Sequence, residues 1–237
     1  MAAKLRVIGL QCFWLALCLM SIFQGVAQHD TGVSRTEKVV DRWDDKILIE
    51  LTHDTWLGAP NGVEYVIPSV GFKGYFFTDY TFGDESNFSF AWGFGVSADN
   101  VKSNAEFRQE EFPDGTTGDQ ELVPIERAYD NNKFVTTYLE LPIEFRFITK
   151  GKHPFRMAVG ARAGYLLQDH QKIEDTEGKA KFYNFEHINR WRYGVSARMG
   201  YSYVQLTGFY SLVPLIEDGK GTELTAISIG LAFTFIR

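Results

Sequence analysis

Cysteine is almost missing from this chain: it has two, Cys12 and Cys18, both near the N-terminus. If that end is removed on export, no thiol remains, which excludes disulfides and cysteine-based metal sites. A basic excess is lacking too. Lys and Arg number 24 against 30 Asp and Glu, a net charge of −6, and an acidic surface of this kind excludes nucleic acid as a partner. Beyond the N-terminal segment there is no run of about 18 consecutive apolar residues, so no membrane helix is expected. Gly-x-Ser-x-Gly, phosphate-loop and zinc-protease motifs are absent. No cofactor is implied.

The N-terminus itself reads as a processing segment. Lys4 and Arg6 precede an apolar stretch over residues 7–23, and Gly25-Val26-Ala27 supplies small residues for cleavage. Residues 1–27 are therefore expected to be a signal peptide. Its removal takes away two bases and no acid, which moves the net charge from −6 to about −8. Residues 28–45 are polar and aperiodic and are expected to form a periplasmic lead-in. The domain proper is expected over residues 46–237.

What that domain does have is alternation. In residues 223–237, Ile227, Ile229, Leu231, Phe233 and Phe235 alternate with Ala226, Ser228, Gly230, Ala232 and Thr234. Successive strand side chains point to opposite faces, so one face is bulky and apolar and the other is small. In a soluble barrel the bulky groups face in. Here the small face is the one that fits an interior, and the bulky face is suited to lipid. Residues 87–99 repeat the pattern, with Phe88, Phe90, Trp92, Phe94 and Val96 against Ser89, Ala91, Gly93, Gly95 and Ser97.

Similar segments occur at residues 46–56, 66–80, 133–147, 155–168, 186–199 and 203–212. Glycine-rich tight turns near Gly83, Gly151 and Gly200 alternate with long polar connections near Gly62, Gly115, Gly178 and Gly219. This predicts an all-β, antiparallel, up-and-down transmembrane β-barrel of about eight strands in the bacterial outer membrane, its short turns periplasmic and its long loops outside. Residues 100–132 and 169–185 read as loops. Trp56, Tyr65, Tyr80, Phe147, Phe155, Tyr165, Tyr201 and Tyr210 lie near strand ends, as interfacial girdles require.

Strand parity also predicts a charged interior. The inward acids are Glu50, Asp54, Asp79, Asp99, Glu140 and Glu144; the inward bases are Lys73, Arg146, Arg156, Arg162, Arg190, Arg192 and Arg198. A conduit or a ligand cleft is one reading of this set, and a salt-bridge network replacing an apolar core is the other. Eight strands leave an interior just wide enough for side chains to fill, which favours the network. Other chemistry is sparse. His170 and His187 flank one loop and could share a metal with Asp169 or Glu186. The acidic stretch 114–119 could attract calcium. His53-Asp54 is the one local pairing suggestive of a rim enzyme, and no serine is placed opposite it by sequence alone.

Ser86-Asn87-Phe88-Ser89-Phe90, Tyr138-Leu139-Glu140-Leu141-Pro142-Ile143-Glu144 and Arg192-Tyr193-Gly194-Val195-Ser196-Ala197-Arg198 form one set of segments. Phe209-Tyr210-Ser211-Leu212 ahead of Gly219-Lys220-Gly221 completes it. With these, the chain resembles the Bacteroidota outer-membrane β-barrel proteins that include the PorT type. The terminal Ser228-x-Gly230-x-x-Phe233-x-Phe235 resembles the signal read by the barrel insertion machinery. One branch of that family is associated with secretion. The outward apolar faces and the balanced inner charges lead to the expectation of a barrel with a filled lumen acting as a structural, binding or secretion- and assembly-associated component, and not an enzyme. Its expected partners are outer-membrane lipid, the insertion machinery and secretion-system or other envelope proteins. An enzyme acting on lipid or peptide at the outer rim, and a narrow pore, are the alternatives.

Overall fold

The computed structural model describes residues 45–83, 86–111, 117–175, 178–183 and 185–236. The expected signal peptide, and the lead-in apart from its last residue, lie outside the described residues. The described strands are β1 (Asp45–Leu57), β2 (Val70–Thr81), β3 (Phe88–Lys102), β4 (Ala105–Glu111), β5 (Thr117–Pro124) and β6 (Asn131–Ile148). They continue with β7 (Phe155–Asp175), β8 (Gly178–Tyr183), β9 (Trp191–Tyr201), β10 (Val204–Ser211) and β11 (Thr225–Ile236).

Eight strands close a ring in the order β1-β2-β3-β6-β7-β9-β10-β11, each antiparallel to its neighbours. β11 completes it against β1, with Leu231 opposite Leu51 and Ile229 opposite His53. Closure matters physically: an open edge would leave unpaired N–H and C=O groups in hydrocarbon. The alternation read from the sequence decides the faces. On β3, Phe88, Trp92, Phe94 and Val96 are exposed on the outer wall, whereas Ser89, Ala91 and Ser97 are fully buried inside. The small inner residues make room for larger ones across the lumen. A Cβ on Gly95 would stand 2.4 Å from the Tyr75 ring, and one on Gly71 would stand 1.9 Å from a carboxylate oxygen of Asp54.

Three segments depart from the expected pattern. Residues 100–132 do not form a plain loop but carry the tail of β3 and the hairpin β4–β5, in which Phe107 faces Leu122. Residues 169–185 are the upper part of β7 and its partner β8. Strand five is expected to stop at Gln168, before a polar loop, but the strand runs on to Asp175 with its alternation interrupted at that point. The cause is a bulge opposite Thr137 and Tyr138 that leaves Leu167 and Gln168 both exposed. An extra residue shifts parity by one, so the inward set on β7 changes from Arg156 and Arg162 to Asp169, Gln171 and Ile173. The third departure is at strand starts: β2 begins at Val70, after Pro68, which has no N–H to give a ladder, and β9 begins at Trp191 instead of residue 186.

Candidate functional site

The lumen is built by inward side chains from all eight ring strands, and its centre is one continuous chain of hydrogen bonds. Thr207 donates to Glu50 at 3.0 Å, and the Arg162 guanidinium donates to both Glu50 oxygens at 2.9 and 2.8 Å. Arg162 also donates to the Tyr75 hydroxyl at 2.8 Å, and Tyr75 donates to Glu140 at 2.5 Å. Arg192 then joins Glu140 to Asp99 and reaches Ser97 at 3.0 Å. Lys73 pairs with Asp99 at 2.8 Å, lies 3.7 Å from Asp54 and donates to Ser228 at 2.9 Å. The acids and bases alternate along the path, so each charge has an opposite neighbour in place of the water it gave up.

A second group occupies the half of the lumen nearer the short turns. Arg146 bridges Asp79 at 2.6 Å and Glu144 at 2.8 Å, and Arg198 donates to the same Glu144 at 2.5 Å. Arg156 is buried near these, and is itself engaged. Aromatic rings fill the space between the guanidinium groups. Arg192 lies 3.7 Å over the Tyr138 ring and Arg146 lies 4.2 Å over Phe77, while Phe209 stands within 5.1 Å of Arg192. Such stacking suits the planar, weakly hydrated guanidinium.

Of the thirteen charged residues expected inside, twelve point inward: Glu50, Asp54, Asp79, Asp99, Glu140, Glu144, Lys73, Arg146, Arg156, Arg162, Arg192 and Arg198. Arg190 does not. It is exposed, in the connection just before β9, where its carbonyl accepts from the Leu166 N–H at 2.8 Å. Strand parity has no meaning outside a strand, which is why the extrapolation failed there. Without Arg190 the inner set holds six acids and six bases. The lumen aromatics Phe77, Tyr138 and Phe209 were missed by a reading that followed charge, although parity on β2, β6 and β10 places each of them inside.

Above the charges lies an apolar cap that the sequence did not announce. Trp56, Val101, Leu122, Phe134, Leu166, Ile188, Leu215, Ile216 and Leu224 are buried together at the end bearing the long connections. Trp56 is thus a cap residue and not part of a lipid-facing girdle. Its ring meets Tyr65, Phe107 and Phe134 with centroids 6.4, 5.7 and 5.6 Å away. Backbone bonds knit the loops over it. Gln120 on β5 donates to the Lys220 carbonyl at 2.8 Å and accepts from Thr222 at 3.2 Å, while Leu215 donates to Leu224 at 2.7 Å. Asn132 and Gln171 fasten the base of the hairpin, both donating to the Ala105 carbonyl, at 2.6 and 3.1 Å. Burial pushes the Tyr65 hydroxyl up to about 12.

The other candidate chemistry does not assemble. Among the described residues no three His, Cys, Asp or Glu groups come close enough to hold a metal. His170 instead lies against the Tyr183 ring at 5.5 Å, and Asp169 accepts from the Phe185 N–H. Residues 114–116 of the acidic stretch 114–119 lie outside the described residues. His53 and Asp54 are consecutive on a strand and so face opposite ways. His53 does have a serine beside it, Ser69, but the contact is from the backbone N–H to Nδ1 at 3.1 Å, and the Ser69 hydroxyl donates to the Val66 carbonyl. Asp54 points into the lumen and accepts from Thr52 at 2.7 Å and from the Asn100 N–H at 3.0 Å. The three do not make a nucleophile, base and orienting acid.

A family model described as outer membrane protein beta-barrel domain matches residues 47–217, from the start of β1 to the last long connection. The chain belongs to that family. This barrel therefore lies in the bacterial outer membrane. Among solved structures it is similar to the attachment invasion locus protein Ail of Yersinia pestis, at 11% identity over 80% of this chain and 97% of that one, with a TM-score of 0.30. Two mutants of the Rh. blastica porin are similar at 9% identity, over 80% of this chain and 99% and 98% of theirs, with TM-scores of 0.21. No curated protein matches the chain.

For an outer-membrane barrel the exposed outer face is the lipid contact. Phe94 stands mid-strand on β3, 56% exposed, and packs on Phe76 of β2 with centroids 5.8 Å apart. Phe94→Arg is expected to destabilise the barrel by about 2–4 kcal/mol in a bilayer, as charges at the midplane of such barrels do. Chemical denaturation of protein folded into vesicles measures it, and a neutral result would place Phe94 away from lipid.

Proposed function

We propose that this outer-membrane barrel is a non-conducting, non-enzymatic component that works by binding, either as a free-standing receptor surface or as part of an envelope assembly. The observation that carries this reading is the closure of the outer mouth by the apolar cap above a lumen already filled with paired charges. A pore needs a wet path, and both layers oppose one. An enzyme needs convergent polar groups around a reachable cleft, and the groups that converge here are buried and neutralise one another. What remains available to a partner is the outer surface of the knitted loops, the projecting β7–β8 hairpin and the lipid-facing wall. The motifs in strands β3, β6 and β9 favour kinship with the PorT-type branch, and the C-terminal Phe233 and Phe235 favour delivery through the barrel insertion machinery. Envelope proteins and outer-membrane lipid are the partners this reading expects.

Two measurements test it. In planar bilayers the purified protein should show no discrete conductance, and stepwise currents would replace this reading with a narrow pore. Affinity isolation from gently solubilised outer membranes should recover envelope proteins with the barrel. A clean monomer that turns over lipid or peptide would favour the rim enzyme instead.

A further inference from the structure

Gly74 of β2 is a glycine that no close contact requires. It faces outward between Phe72 and Phe76, and its φ is not positive. A Cβ on inward-facing Gly93 would stand 2.2 Å from the Phe76 carbonyl oxygen, whereas one on Gly74 would meet nothing closer than a Phe72 ring carbon at 3.9 Å. Around the missing side chain the outer wall is hollowed into a groove of 520 Å³.

Strand register gives the groove its shape. Gly74 stands opposite Ile49 of β1 and Val96 of β3, and Val96 stands opposite Leu139 of β6. These four residues make a floor that crosses four strands, about 14 Å at the usual strand spacing. Phe76 and Phe94, opposite each other with ring centroids 5.8 Å apart, form one bank, and Phe72 forms the other. Every outward side chain along the groove is apolar. Its height follows from Tyr80, an exposed ring near the short turn at Gly83. With strands tilted 35–45°, the six residues from Tyr80 to Gly74 climb about 15 Å, and the four from Gly74 to Val70 about 10 Å more. Gly74 therefore lies near the middle of the apolar band, which is about 25 Å tall in such barrels.

We propose that this groove holds one acyl chain of a bilayer lipid. Ions and water-soluble ligands do not reach that depth, and the wall on every side of the groove is already the lipid contact. A second barrel is a poorer occupant. Its wall is convex, and it would rest on the projecting rings of Phe72, Phe76 and Phe94 before its side chains met the floor. A flexible chain can follow the floor obliquely down the wall. Lipid tails are as apolar as these side chains, so retention comes from packing and not from transfer out of water. A chain in the groove touches protein on three sides, and a chain on the flat wall touches it on one. The site depends only on insertion into the membrane, not on whether the lumen conducts.

The test folds the full chain into phosphatidylcholine vesicles that include a lipid with a photoreactive diazirine midway along one chain, and maps the adducts by mass spectrometry. Val195 of β9 is the reference: it is outward-facing, six residues from Tyr201 near a short turn, and the same residue type as Val96. Some ten additional carbon contacts amount to about a tenfold higher occupancy, so Val96 should be labelled about tenfold more than Val195. Gly74→Leu fills the floor and should bring Val96 down to the level of Val195 while keeping heat-modifiable gel migration. Gly208→Leu, at an outward glycine of β10 whose Cβ would also stand 3.9 Å from its nearest neighbour, should leave the labelling of Val96 unchanged. The wild-type ratio alone decides the matter if Gly74→Leu does not insert. Equal labelling of the two valines, or labelling of Val96 that survives Gly74→Leu, would overturn the proposal. Disulfide-linked pairs formed by Val96→Cys but not by Val195→Cys would give the groove to a second copy of the chain instead.

Discussion

Arg192→Leu is expected to destabilise the barrel by about 3–5 kcal/mol, the usual cost of leaving buried charges without their partner. Arg192 joins Asp99 and Glu140, which are otherwise held by Lys73 and the Tyr75 hydroxyl. Its loss removes the one group touching both carboxylates and also empties the face of the Tyr138 ring. The cost lies in the orphaned acids more than in the missing attraction. A variant that also carries Asp99→Asn and Glu140→Gln should therefore regain much of the loss. Urea unfolding in vesicles, followed by tryptophan fluorescence, reads both variants. A loss of less than about 1 kcal/mol for the single change would mean that water reaches the acids, and the lumen would not be dry.

Trp56→Ala should cost a similar amount, about 3–5 kcal/mol, but with a different signature. Trp56 is the ring on which Tyr65, Phe107 and Phe134 converge, so its removal opens a cavity in the middle of the cap. The ring strands below keep their hydrogen bonds. Circular dichroism of the folded variant should thus be close to wild type, while limited proteolysis should cut the β4–β5 hairpin and the 212–224 connection faster. If cleavage of those loops is unchanged, the cap is held chiefly by its backbone bonds and not by this side chain.

The two changes probe layers that were unequally visible. The charged layer could be read from parity because its residues lie on strands buried between a lipid face and a narrow lumen, where alternation is enforced. Arg190 shows the limit of that logic, since it sits one residue before β9 begins. The cap residues gave no such signal. Val101, Leu122, Ile188, Leu215 and Leu224 come from four separate segments. Each lies in a short apolar stretch between polar residues, too short for a period to show. Trp56 even pointed the wrong way, because a tryptophan at a strand end has the same local appearance in a girdle as under a cap.

By itself the sequence determined the barrel, the outer membrane as its solvent and the sign of nearly every inner charge. Those properties follow from a two-residue period and from lipid demanding apolar groups outside, both of which are local. Only the tertiary structure decided that an apolar cap forms at the end bearing the long connections, that β7 changes its inward face at a bulge and that Gln120 of β5 is tied to the 220–222 segment. The physical reason is the same for all three: each depends on which residue stands opposite which across strands far apart in the chain. Register of that kind is set by ring closure and loop packing, and no single strand contains it.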